Sequence, residues 1–212
     1  MNSRIVSRIG IFVLLCLVMA ATRSNHFSPL SNATWGALPD ASWAVFFVAG
    51  YYLRDWLRWA FPLLMALAVV VDYFVISATG VDFWSHYCVS VAYWFLLPAY
   101  LALWMGGAWF ATTGAGQHWR DLGKLAASLL VAVSLSYIVS NGSYYWLSDT
   151  WLATSADGRS FMGWMDNLAD WYLPYLRITA LYVGVATVLH VAAIKAFGSL
   201  HTTAGSSLPN NK

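Results

Sequence analysis

Apolar residues recur in six long runs, at about residues 5–22, 39–54, 58–79, 84–107, 122–142 and 168–195, each set off by Arg, Asp, Gly, Pro or Asn. A bilayer core takes about 20 apolar residues per helix. The pattern therefore predicts an all-α polytopic membrane protein, a bundle of six transmembrane helices. Residues 1–200 form one transmembrane domain, and the polar segment 201–212 is expected to be a disordered tail. The second run is short before Arg54, which suits a tilted or partly interfacial segment. Arg4 and Arg8 precede Ile9 to Ala21, and Met19-Ala20-Ala21 faintly resembles a cleavage site. The run from Ile5 to Thr22 is nevertheless long enough to span, so a retained helix is expected rather than a signal peptide.

Charge orients the spans. Arg4, Arg8, Arg54, Arg58, Arg120, Lys124, Lys195 and Lys212 fall on one side under this assignment, against Arg23 and Arg159 on the other. The positive-inside rule then places both termini in the cytoplasm and Asp40, Asp82, Asp149, Asp157, Asp166 and Asp170 toward the outside. Two long outer connections follow, 23–40 and 141–167. The second carries Tyr144, Tyr145, Trp146, Trp151, Phe161 and Trp164. These rings form either a lid over a pocket or the aromatic belt expected at any membrane interface.

Composition narrows the function classes. The chain has 212 residues, 60% of them hydrophobic and 9% charged, which leaves no room for a soluble domain with its own core. It contains no glutamate and no P-loop pattern, so it cannot power itself by ATP hydrolysis at a Walker site. The net charge of +2 gives no sign of nucleic-acid binding. No His-x-x-x-His or Cys-x-x-Cys spacing exists to build a zinc site.

Two residue sets carry candidate chemistry. Cys88 lies near the outer start of the fourth run, among Trp84, Tyr87 and Tyr93, with His86 close by in sequence. A thiolate is a soft donor for a polarizable metal centre, whereas a lone membrane cysteine is otherwise a small buried hydrophobe, the reading given to Cys16. His26, in the first long connection, is placed to reach over a ligand held at Cys88. Asp72 and Arg177 are the two charges inside spans, each about eight residues from the outer end. Equal depth suggests that they pair, either on the floor of an outward cavity or as a buried structural pair.

The run Leu38-Pro39-Asp40-Ala41-Ser42-Trp43-Ala44-Val45-Phe46-Phe47-Val48-Ala49-Gly50-Tyr51-Tyr52-Leu53 resembles the second-helix signature of BtuM-type proteins. These are small bacterial membrane proteins related to the substrate-binding subunits (S-components) of energy-coupling-factor transporters for cobalamin. His86-Tyr87-Cys88 with Ala92-Tyr93 and Phe95-Leu96-Leu97-Pro98-Ala99-Tyr100 is similar to their cysteine-bearing helix, and the likeness covers most of residues 5–110. The resemblance implies cobalamin (vitamin B12) binding and uptake across the bacterial inner membrane, with Cys88 coordinating cobalt and removing cyanide from cyanocobalamin. It implies contacts from Cys88, His26, His86, Tyr87, Trp84, Tyr93, Asp72 and Arg177, with His26 as a second axial candidate. The small residues through which such subunits dock on an energising ATPase module are weak here, Cys16 and Ala20 being the nearest match. A solitary transporter is therefore compatible with the sequence. A membrane-bound decyanating enzyme and a non-catalytic membrane subunit are the alternatives.

Overall fold

The computed structural model describes residues 3–23, 38–86, 89–113, 119–148 and 159–205, without the side chains of residues 3, 4, 119 and 197–205. These residues form six α-helices: α1 (Ser3–Arg23), α2 (Ser42–Leu53), α3 (Leu57–Ala78), α4 (Leu96–Thr113), α5 (Trp119–Leu147) and α6 (Phe161–Gly205). No strand occurs among them. Five stretches are long and apolar enough to cross a membrane, because α2 and α3 count as one, Ser42–Ala78. A 3-10 turn at Arg54–Trp56 separates the two helices, and Phe46 of α2 meets Phe61 of α3 at 5.4 Å, so the chain doubles back there. The protein is thus a multi-pass helical membrane protein.

Gly80 ends α3 with φ +80°, a conformation that costs a residue with a Cβ. The following Asp82 side chain accepts hydrogen bonds from the Trp84 and Ser85 amides at 3.0 and 3.2 Å and starts a short 3-10 turn, Phe83–Ser85. The fourth run was expected to be one helix from residue 84. Instead α4 begins at Leu96, after a second 3-10 segment, Val91–Phe95, capped by Ser90. The two side-chain caps compete with helical hydrogen bonding, which is why the apolar run does not become one helix.

The second long connection is also shorter than expected. Helix α5 runs on to Leu147 and α6 begins at Phe161. The Tyr145 hydroxyl donates to the Ser160 carbonyl at 2.9 Å and accepts from its amide at 3.0 Å. Arg159 donates to the carbonyls of Tyr145 and Ser148, satisfying acceptors at the helix end. Trp146 and Trp164 meet at 6.2 Å. Tyr144, Tyr145, Trp146, Phe161 and Trp164 therefore sit on helix ends rather than in a loop, while residues 149–158 lie outside the described residues. At its far end α6 continues through Gly205, so the tail expected from 201 starts as helix.

Helix α2 is the centre of the bundle, not an interfacial segment. Nine of its twelve residues are buried. Phe46 stacks on Tyr100 of α4 at 4.3 Å, and Phe61 meets Trp104 edge-on at 5.8 Å. Glycines bring the α2 and α4 backbones together: a Cβ at Gly50 would collide with the Trp104 carbonyl, and one at Gly107 with the Phe47 carbonyl. Small residues permit such close approach without water to drive it. Gly107→Ala is expected to destabilise the protein by about 3 kcal/mol, the upper range for over-packing, because the obstacle is backbone and cannot swing away. Gly10→Ala, with nothing within 4 Å, should be silent in the same thermal unfolding assay in detergent.

Candidate functional site

The six helices place the C-termini of α1, α3 and α5 and the N-termini of α2, α4 and α6 at one end of the bundle. A buried polar cluster lies there, built around Arg23, the last residue of α1. Its guanidinium grips Asp72 of α3 in a two-pronged bond, Nε to Oδ1 at 2.6 Å and Nη2 to Oδ2 at 2.6 Å. Nη1 donates to the Tyr100 hydroxyl of α4 at 2.8 Å and to Ser42 Oγ of α2 at 3.0 Å. Asp40 Oδ2 stands 3.6 Å from the same nitrogen, and its Oδ1 accepts from the Ser42 amide and hydroxyl. Tyr93 completes the cluster by donating to Asp72 Oδ2 at 2.7 Å. Arg23 is 5% exposed and Asp72 is fully buried, so the charges are held where unpaired charge would be costly.

The arrangement follows from local sequence. Thr22 folds its hydroxyl onto the Val18 carbonyl and accepts from the Ala41 amide at 3.1 Å, fixing the end of α1 against the start of α2. That pins the Arg23 backbone and aims its side chain into the bundle. The fork geometry of guanidinium and carboxylate then adds strength and direction. Helices α2, α3 and α4 and the segment before α2 meet at this one side chain.

Of the expected site residues, four come to this end. Tyr93 and Asp72 touch. His86 is half-buried in the non-helical stretch before α4; burial pushes its imidazole below the usual histidine range, and the Asp72 carboxylate works against that shift. Trp84 is 71% exposed and rests edge-on against Phe83 at 5.2 Å, and Phe83 in turn meets Tyr93 at 6.3 Å. His86, expected near the start of the fourth helix, instead has extended backbone with ψ 139°. Tyr87, Cys88 and His26 lie outside the described residues. The residues on either side, His86 and Val89, are joined by a hydrogen bond from the Val89 amide to the His86 carbonyl at 2.8 Å.

The expected Asp72–Arg177 pair does not form. Arg177 is exposed on α6, while both Asp72 oxygens are engaged by Arg23 and Tyr93. Equal depth does not make two helices neighbours: α6 packs on α5 and α2, whereas α3 packs on α1 and α2. Sequence reasoning placed Arg23 in an outer connection and missed it. The available signal was its charge, since Arg23 is one of only two cations on the side that should be poor in them. Cys16 is partly buried against the core, as expected of a packing cysteine.

No family model matches the chain, and no curated protein matches it. The site must therefore be read from its own geometry. It is a desolvated polar anchor, and the Tyr93 oxygen, which donates to Asp72, keeps acceptor capacity.

Proposed function

We propose that the protein binds cobalamin and carries it across the bacterial inner membrane, with Cys88 coordinating cobalt. The observation that carries this reading is the Asp72–Tyr93 bond inside the Arg23 cluster. Tyr93 follows Cys88 by five residues, so a rigid polar floor lies next in sequence to the soft donor. The BtuM-like sequence supports the same reading. By charge the Arg23 end faces the periplasm and both termini face the cytoplasm.

Cys88 acts as a thiolate, because only that form binds metal. With cyanocobalamin the thiolate electron pair forms a sulfur–cobalt bond, and cyanide departs with the pair of the broken carbon–cobalt bond. Cobalt stays at the same oxidation level, and the thiol proton goes to solvent. Sulfur donation weakens the opposite ligand, which explains the direction of exchange. The chain offers no second cysteine beside Cys88, only Cys16 in another span, so each thiolate is expected to act once. This favours a binding and transport protein over a decyanating enzyme.

The test is cobalamin uptake by bacteria lacking every other route, with and without an energising ATPase module. Growth on nanomolar cobalamin with this protein alone is the expected result. Absence of both uptake and a bound corrinoid spectrum in the purified protein would leave a membrane subunit of another kind. Decyanation beyond one equivalent per protein would establish the enzyme reading instead.

A further inference from the structure

Arg177 is an exposed cation on α6, and among the described residues it has no hydrogen bond or ion pair. The nearest acid on the same face, Asp170, lies two turns earlier, about 10 Å by helical rise. The bundle meets α6 on another face: Tyr175 rests on Trp43 at 4.8 Å, the Tyr182 hydroxyl donates to the Pro39 carbonyl at 2.7 Å, and Val183 is buried. From Arg177 to Lys195 the helix carries no other charge over about 27 Å of rise, close to the thickness of a hydrocarbon core. The two cations bracket the apolar layer, with Arg177 at headgroup level on the Arg23 side.

Beside Arg177, toward the Lys195 end, lies an open apolar groove of about 450 Å³, lined by Ala180, Leu181, Gly184, Val185, Val188 and Leu189. Positions 177, 180, 181, 184 and 188 recur every three or four residues and share one stripe of the helix. The groove owes its depth to Gly184 and Ala180, set among larger Leu and Val side chains. A Cβ at Gly184 would meet nothing within 4 Å, unlike one at Gly50 or Gly107. The bundle therefore makes no use of the missing side chain, although glycine inside a helix is less stable than alanine.

We propose that this face holds one anionic phospholipid, its phosphodiester on the Arg177 guanidinium and an acyl chain laid along the groove. Helical side chains lean toward the N-terminus, so the guanidinium lies on the headgroup side of the groove. Guanidinium and phosphate oxygens pair through two parallel N–H bonds, which strengthen at the edge of an apolar layer. Charge decides among occupants. Ala180 and Gly184, four residues apart, also have the spacing that lets two membrane helices pack closely. Copies of one chain share one orientation in a membrane, however. A symmetric pair on this face would set two Arg177 side chains together at one depth, with no acid beside them. A zwitterionic lipid brings its own cation to the same place. An anionic phospholipid satisfies the cation and the groove at once. The assignment does not rest on cobalamin binding.

Native mass spectrometry of the purified full chain tests it, with phosphatidylglycerol or phosphatidylcholine of the same acyl chains added to the detergent solution. The parent protein should retain one phosphatidylglycerol, several-fold more than phosphatidylcholine. Arg177→Gln should remove that preference, Arg177→Lys should keep part of it, and Gly184→Leu should lower retention of both lipids several-fold. Glycerol phosphate, which has the anion without the chain, should not displace the lipid. A phosphatidylglycerol with a photoreactive diazirine in its acyl chain should cross-link within residues 180–189 of the parent and not in Gly184→Leu. The melting temperature in lipid-free detergent should be the same for the parent and the three variants, which reports that each is folded. Equal retention of the two lipids by the parent, retention unmoved by both Arg177→Gln and Gly184→Leu, or displacement by glycerol phosphate would overturn the proposal. So would a dimer that Gly184→Leu dissociates, since the groove would then belong to a second copy.

Discussion

Cys88→Ser is expected to abolish the altered absorption spectrum of bound cobalamin and all release of cyanide from cyanocobalamin, while Cys16→Ser leaves both intact. A serine hydroxyl is hard and protonated at neutral pH, so it neither binds cobalt as a soft donor nor pushes electron density onto it. Cys16 packs against the core and lies seven residues before Arg23, about 10 Å nearer the other end of the bundle by helical rise, so it has no route to a ligand at the Arg23 end. The check is a spectrophotometric titration of each purified variant with cyanocobalamin, alongside cyanide release. Equal behaviour of the two variants would refute the cobalt ligand assignment.

The helices were largely legible because hydrophobic runs are long and the break at Arg54 is charged. What hydropathy cannot see is backbone competition within an apolar stretch. Residues 84–95 are apolar and aromatic enough to read as helix, yet Asp82 and Ser90 cap short 3-10 turns instead. The same blindness joined Tyr144, Tyr145 and Trp146 to a loop when they end α5. The central place of α2 was present in the sequence as a mixture of bulky rings with Ala49 and Gly50, but its shortness was the more visible feature.

The candidate site was half legible. Asp72 stood out as a charge inside a span, and Tyr93 as a neighbour of Cys88. Their meeting, and the choice of partner for Asp72, depended on which helices pack together. Depth along a helix fixes one coordinate only. The neighbour relation comes from side-chain volume, such as the glycine contacts between α2 and α4, and from the Thr22 bonds that turn Arg23 inward.

Arg23→Gln should cost about 3–5 kcal/mol, since it leaves Asp72 as a buried charge without a cation, and Asp72→Asn should cost less, because Asp40 still stands 3.6 Å from the guanidinium. In Asp72→Asn the guanidinium keeps Tyr100 and Ser42 but loses both strong bonds, and Tyr93 loses its charged acceptor. In Arg23→Gln the carboxylate keeps only Tyr93. The double variant replaces the ion pair by two amides that can bond each other, so it should recover part of the loss. Arg177→Gln, at an exposed position, should leave thermal unfolding in detergent unchanged. Strictly additive losses in the Arg23→Gln, Asp72→Asn protein would show that the two do not act as a pair. A large effect of Arg177→Gln on stability would instead restore it as the partner. The ligand reading adds a second measurement to the same proteins. Tyr93→Phe keeps the packing and the ion pair but removes the hydroxyl, so it should weaken cobalamin binding with little change in the melting temperature of the free protein. Loss of stability without loss of binding would make the cluster a structural staple alone.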